Sequence, residues 1–129
     1  MTVHFPKIAF CEGAPDFLAA LSLATAEGKT ETVAPAGMLG AATRGIATDA
    51  LRYFRGKHVR LFPHRDSAGW QALRPWAQQI RDAGAAKVDA FDFSRLVCDD
   101  GQPGKDLADV CRIDPDCFEK EAKFWELLP

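Results

Sequence analysis

Two short apolar runs in this chain, Ile8-Ala9-Phe10-Cys11 and Val59-Arg60-Leu61-Phe62, each close on an acid-bearing turn and then open an apolar stretch with helical spacing. The first turn is Glu12-Gly13-Ala14-Pro15-Asp16 and the second is His64-Arg65-Asp66-Ser67-Ala68-Gly69. Strand-turn-helix units in succession are the signature of a parallel α/β sheet. In such sheets the carboxyl ends of the strands collect loops and outward-pointing helix N-termini, so ligands bind there. Carboxylates gathered at that edge point to a Mg²⁺ site.

The rest of the chain keeps the alternation. Lys7 to Cys11 predicts a strand, followed by a helix in which Phe17, Leu18, Leu21 and Ala24 face inward until Gly28 stops it. Glu31 to Ala34 predicts a weaker strand, then a turn at Pro35, Gly37 and Gly40, then a helix from about Thr43 to Phe54 ended by Gly56. His58 to Phe62 predicts a strong strand. The next helix spans about Ser67 to Asp82 with Trp70, Leu73, Ala77 and Ile80 inward, and Pro75 within it predicts a kink or a restart. Val88 to Phe93 predicts a fourth strand. After a loop through Asp99, Asp100, Gly101, Pro103 and Gly104, the tail carries a helix signal over about 114–128: Pro115 suits a first turn, Asp116 and Glu119 are spaced as a capping box, and Phe118, Ala122 and Trp125 share a face. The expectation is one α/β domain over residues 1–129, with a core at about 7–110, a mainly parallel four-stranded central sheet flanked by helices, and a C-terminal helical extension.

At 129 residues, 47% hydrophobic and 26% charged, the chain suffices for one core and is too short for two. No apolar stretch approaches the roughly 20 residues that span a bilayer, and Met1-Thr2-Val3-His4-Phe5-Pro6 lacks the layout of a signal peptide, so the expected location is the cytoplasm, with no membrane partner. Cys11, Cys98, Cys111 and Cys117 include no Cys-x-x-Cys pair and no His at zinc-finger spacing, which favours reduced thiols over a structural zinc. Trp70, Trp76 and Trp125 fall at helix-face spacing and read as core or interface.

The net charge of −2 is unevenly distributed. Arg44, Arg52, Arg55, Lys57, Arg60, Arg65, Arg74 and Arg81 face only Asp49, Asp66 and Asp82 in the middle of the chain, whereas acids prevail from Asp89 onward. A basic middle beside an acid-lined site can hold a phosphate backbone while the acids hold metal. Arginines on a solvated helix surface give the same pattern without a ligand.

Glu12 and Asp66 would be close if the first and third strands are neighbours. Asp16, one helical turn after Glu12, would point to the same edge. Mg²⁺ prefers oxygen ligands and binds through one or two carboxylates plus substrate phosphates, which suits phosphoryl or nucleotidyl transfer. Glu12 could instead stay off the metal as general acid or base. Structural alternatives stand beside these: Asp66 can cap the third helix and Asp16 can serve the helix dipole, while a carboxylate at Glu12 has no evident structural task.

These motifs resemble the Toprim domain of primases, type IA and type II topoisomerases and some nucleases. That family carries Glu-Gly at the end of its first strand, often with an Asp three residues after the Gly, and Asp-x-Asp-x-Ala-Gly after a later strand. Glu12-Gly13-Ala14-Pro15-Asp16 matches the first pattern, and His64-Arg65-Asp66-Ser67-Ala68-Gly69 matches the second except at its first acid. Gly104-Lys105-Asp106-Leu107-Ala108-Asp109 resembles the acidic loop after the fourth strand in the primase branch. The resemblance runs from Lys7 to about Val110 and is closest to the primase and helicase-primase segments of phages and plasmids. It implies a Rossmann-like Toprim fold and a metal-dependent nucleotidyltransferase in DNA replication. It further implies Glu12 and Asp66 as catalytic residues, and Glu12, Asp16, His64, Asp66 and Asp106 around Mg²⁺ or Mn²⁺. Arg65 and Lys105 would contact phosphate, with pairing to a neighbouring acid as the alternative for Arg65. The implied partners are DNA or RNA, nucleoside triphosphates, and other domains of a larger primase or helicase protein, because a complete primase needs a template-binding region as well.

His64 departs from the family pattern. Imidazole in place of a carboxylate weakens Mg²⁺ and relatively favours Mn²⁺ or Zn²⁺. Three readings follow: a working site in which the remaining acids suffice, a site with altered metal preference, or a nucleic-acid or nucleotide-binding module without chemistry. A Toprim nuclease is a further alternative. Strand passage needs a nucleophilic tyrosine, and Tyr53, the only one, lies in a helix face of arginines. No Gly-x-Gly-x-x-Gly run supports dinucleotide binding.

Overall fold

A computed structural model describes residues 5–38, 45–64, 67–93, 97–112 and 128–129. The chain runs β1 (Lys7–Glu12), α1 (Ala14–Ala26), β2 (Val33–Met38), α2 (Thr48–Leu51) with a 3₁₀ turn at Arg52–Phe54, β3 (His58–Phe62), α3 (Ser67–Asp82), β4 (Lys87–Ala90) and a 3₁₀ segment at Leu107–Arg112. The four strands form one all-parallel sheet in the order β2-β1-β3-β4, with Lys7 level with Val33 on one side and His58 on the other. This is an α/β architecture compatible with a Rossmann-like fold.

Period-two alternation along β1 sends side chains to both faces, and each face has its own core. Ala9 and Cys11 meet Ala20 and Ala24 of α1, together with Val33, Phe62, Phe91, Phe93, Leu107 and Leu128. Ile8 and Phe10 meet Val59, Leu61, Ile46, Phe54 and the Trp76, Ala77 and Ile80 face of α3. The ring of Phe10 makes edge contacts with both Phe54 and Trp76 at centroid distances of 5.6 Å. Truncating a ring held this way costs about 3–5 kcal/mol.

Several elements differ from the sequence expectation. Leu18 and Leu21 are 61% and 43% exposed, and α1 instead buries Asp16, Ala20 and Ala24. Small side chains let the helix lie against the sheet, and a Cβ on Gly37 would sit 3.8 Å from Phe17 Cβ of α1, in ordinary van der Waals contact. Pro35 and Gly37, expected in a turn, lie inside β2, which begins at Val33 rather than Glu31. β2 is an edge strand, where a residue without an N–H is tolerated.

The helix expected from Thr43 begins only at Thr48. The Ile46 N–H donates to Gln79 Oε1 at 2.8 Å and Gln79 Nε2 donates back to the Ile46 carbonyl at 3.4 Å, so α3 takes up backbone groups that a helix would have paired internally. β4 ends at Ala90, and Phe91 and Phe93 follow it as buried loop residues. α3 is continuous across Pro75, so the helix does not restart there; Pro75 is exposed, which lets water reach the carbonyl its missing N–H leaves unpaired. The C-terminal helix expected at about 114–128 falls largely outside the described residues. Among the described residues no helix is long and apolar enough to cross a membrane.

Candidate metal centre

The strand order reverses between β1 and β3: from β1 the chain moves outward to β2, then crosses back to β3 and outward to β4. The carboxyl edge at such a switch point forms a crevice, because the connections leave in opposite directions. Glu12 ends β1 and His64 lies two residues beyond β3, so both stand at this crevice. The next turn of chain adds Asp16. Gly13 takes φ 87, a conformation that favours glycine, and sets the direction in which α1 starts.

Four side chains converge. The His64 N–H donates to Glu12 Oε2 at 3.3 Å, and His64 Nδ1 lies 3.7 Å from Glu12 Oε1. His64 Nε2 is 3.0 Å from Asp16 Oδ2 and 4.0 Å from Asp106 Oδ2. The other Asp16 oxygen accepts the Ala108 N–H at 2.9 Å. Asp106 Oδ1 accepts the Asp109 N–H at 3.0 Å, which leaves its second oxygen toward His64. Asp16 and Glu12 are only 1% and 4% exposed, so these are carboxylates withdrawn from bulk water.

Electrostatics follow from that burial. The Asp16 carboxyl is held above the ordinary carboxylate pKa first by desolvation and then by the negative Asp106, against which the Ala108 N–H and His64 work without prevailing. Cys11, beneath the site, is pushed up to about 12 by burial, with the Asp16 charge adding to it. Asp16 is also the acid of the first turn of α1, the place where the helix dipole favours a negative charge.

One ligand atom each from Asp16, His64 and Asp106 lies within 4.8 Å of the others. Ligands of one divalent ion sit at most about 4–5 Å apart, so the three fit a single cation with little rearrangement. Two carboxylates and an imidazole form a mixed set that accepts Mn²⁺ or Zn²⁺ as well as Mg²⁺. Glu12 borders the group through His64, whose backbone N–H it accepts.

Of the residues expected at the site, Glu12, Asp16, His64 and Asp106 are brought together. Asp66 and Arg65 lie outside the described residues. Lys105 is exposed next to Asp106, with its backbone N–H on Asp109 Oδ2 at 3.0 Å. The Ala108 amide, which orients Asp16 from ninety-two positions away, had no sequence signal because any residue other than proline offers an N–H. Comparison with family models, with curated proteins and with solved structures found no match.

Proposed function

We propose that this protein is a Toprim-like domain that transfers nucleotidyl or phosphoryl groups with the help of a divalent cation, within nucleic-acid metabolism in the cytoplasm. The observation that carries the reading is the meeting of Glu12, Asp16, His64 and Asp106 at the crevice between β1 and β3. Asp16, Asp106 and His64 would hold Mg²⁺ or Mn²⁺, with Asp66 adjoining in sequence. The cation supplies neutralisation of a phosphate and polarisation of its oxygens. Glu12, buried beside it, holds or moves the proton of the attacking or leaving hydroxyl, a task suited to a carboxyl shielded from water. Arg65 and Lys105 are placed by sequence to meet phosphate. DNA or RNA and nucleoside triphosphates are the substrates this chemistry fits, and primer synthesis in concert with other domains is the favoured reaction, ahead of nuclease action.

A second reading rests on His64. Its imidazole lies 3.0 Å from Asp16, where it partly balances the acids without a metal, and such a domain would bind nucleic acid or nucleotide without turnover. Thermal denaturation with Mg²⁺ or Mn²⁺ separates the two. A rise in melting temperature that is lost in Asp16→Asn and Asp106→Asn supports the metal-dependent reading. The absence of any rise at several times the cellular concentration of either ion would leave only the binding module.

A further inference from the structure

We propose that the cavity between β2 and α2 is a binding slot for one nucleotide unit, a flat aromatic ring carrying a phosphate, outside the metal centre. The cavity has a volume of about 400 Å³, within the range of small-molecule sites. Its depth has a simple origin: β2 turns Ala34 and Ala36 toward it, where larger side chains would have filled the space, and Ala47, just ahead of α2, and Ala50 within it also line the space.

Part of the wall is aromatic. Phe10 and Phe54 stand in edge contact with one another, and Phe10 is backed by the buried Trp76. Tyr53 stands at the mouth, 60% exposed, with the Arg52 guanidinium 5.0 Å from its ring centroid and an Arg52 nitrogen 3.0 Å from its hydroxyl. Exposing a tyrosine under a guanidinium leaves a stacking surface of the kind that takes planar rings.

The charge selects the ligand further. Lys57 lines the cavity, Arg52 adjoins it through Tyr53, and no acidic side chain is among its described lining residues. An aromatic slot with a cationic rim fits an aromatic anion better than a neutral ring or a peptide. Lys57 immediately precedes the level at which His58 pairs with Lys7, five residues along β1 from Glu12. At about 3.3 Å per residue that puts Lys57 roughly 17 Å from the carboxylate edge, while Phe10 and Gly37 at the other end of the slot lie within two residue levels of Glu12. The choice of a nucleotide over other aromatic anions rests on the nucleic-acid reading above; the slot itself does not.

The test is fluorescence anisotropy with a fluorescein-labelled oligothymidylate at low ionic strength, in EDTA so that the metal centre plays no part. The expected result is saturable binding that weakens about fivefold or more in Tyr53→Ala and in Ala36→Leu, and is retained in Tyr53→Phe. Tyr53 is exposed, so its truncation leaves the core intact, and Ala36→Leu fills the slot without changing charge. Displacement of the labelled strand by thymidine monophosphate would assign the slot to a single free unit; binding that only oligonucleotide competes for would assign it to a strand. Absence of binding, or affinities unchanged in both Tyr53→Ala and Ala36→Leu, would overturn the proposal. Tyr53→Ala should leave the Mg²⁺ or Mn²⁺ shift in melting temperature intact, so failure here and failure of the metal centre read out separately.

Discussion

His64 Nε2 lies 3.0 Å from Asp16 Oδ2 although forty-eight positions separate the two residues. A cation bound between Asp16, Asp106 and His64 needs Asp16 ionised, and desolvation and the Asp106 charge hold that carboxyl above the ordinary carboxylate range, so the cation competes with a proton there. The rise in melting temperature produced by Mn²⁺ should therefore be larger at pH 8 than at pH 6. At a hundred times the dissociation constant the stabilisation should reach about 2.7 kcal/mol, or roughly 10 °C for a domain of this size. A shift that does not grow with pH would place the ion away from Asp16.

Asp16→Asn should abolish that shift while raising the metal-free melting temperature. The folded-state pKa of Asp16 is raised, so ionised Asp16 opposes folding at neutral pH and its favourable contribution is present only below the unfolded carboxylate range, being lost as pH rises through the folded value. Asparagine keeps an acceptor for the Ala108 N–H without the buried charge. Thermal melts of both proteins in EDTA at pH 7 check the sign.

His64→Asp should shift preference toward Mg²⁺ and away from Zn²⁺, because a third carboxylate replaces imidazole beside Asp16 and Asp106. The same change should lower metal-free stability by about 1 kcal/mol or more through like-charge repulsion. Parallel titrations of the two metals against melting temperature provide the comparison, and an unaltered metal order would put position 64 outside the coordination shell.

Across β3 and β4, Asp89 accepts from Arg60 Nε at 2.9 Å and lies 2.8 Å from His58 Nε2. Burial acts to raise its pKa, but hydrogen bonds and charge from Arg60 and His58 outweigh burial and hold it low. A depressed folded pKa stabilises above the unfolded carboxylate pKa and ceases to do so as pH falls through the folded value. Asp89→Asn should thus cost about 1 kcal/mol near pH 6, since the pair is partly exposed, and almost nothing near pH 2. Urea denaturation at the two pH values measures the difference.

Gln79→Ala should release the Ile46 backbone from α3. Both amide atoms of Gln79 are engaged there, so a loss of about 1–2 kcal/mol is expected, seen as a melting temperature lower by a few degrees. Gln79→Glu keeps the acceptor for Ile46 N–H but loses the donor, and should fall between the two.

The sequence alone determined the alternation of strands and helices, because period-two and helical spacings are local properties of the chain, and His58–Phe62 and Ser67–Asp82 have the expected limits. It also marked Glu12, Asp16, His64 and Asp106 as chemically unusual where they stand. Tertiary structure decided what local pattern could not. β1 pairs with β3 as well as β2, and that pairing alone brings His64 to Glu12. Burial of α1 through Asp16, Ala20 and Ala24 rather than through Leu18 and Leu21 depends on which side of the helix meets the sheet. Pro35 in a strand and a helix delayed to Thr48 are tolerated because an edge has an unpaired side and because Gln79 supplies the missing partners. Hydrogen bonds and burial between distant segments set these features, and no window of neighbouring residues contains them.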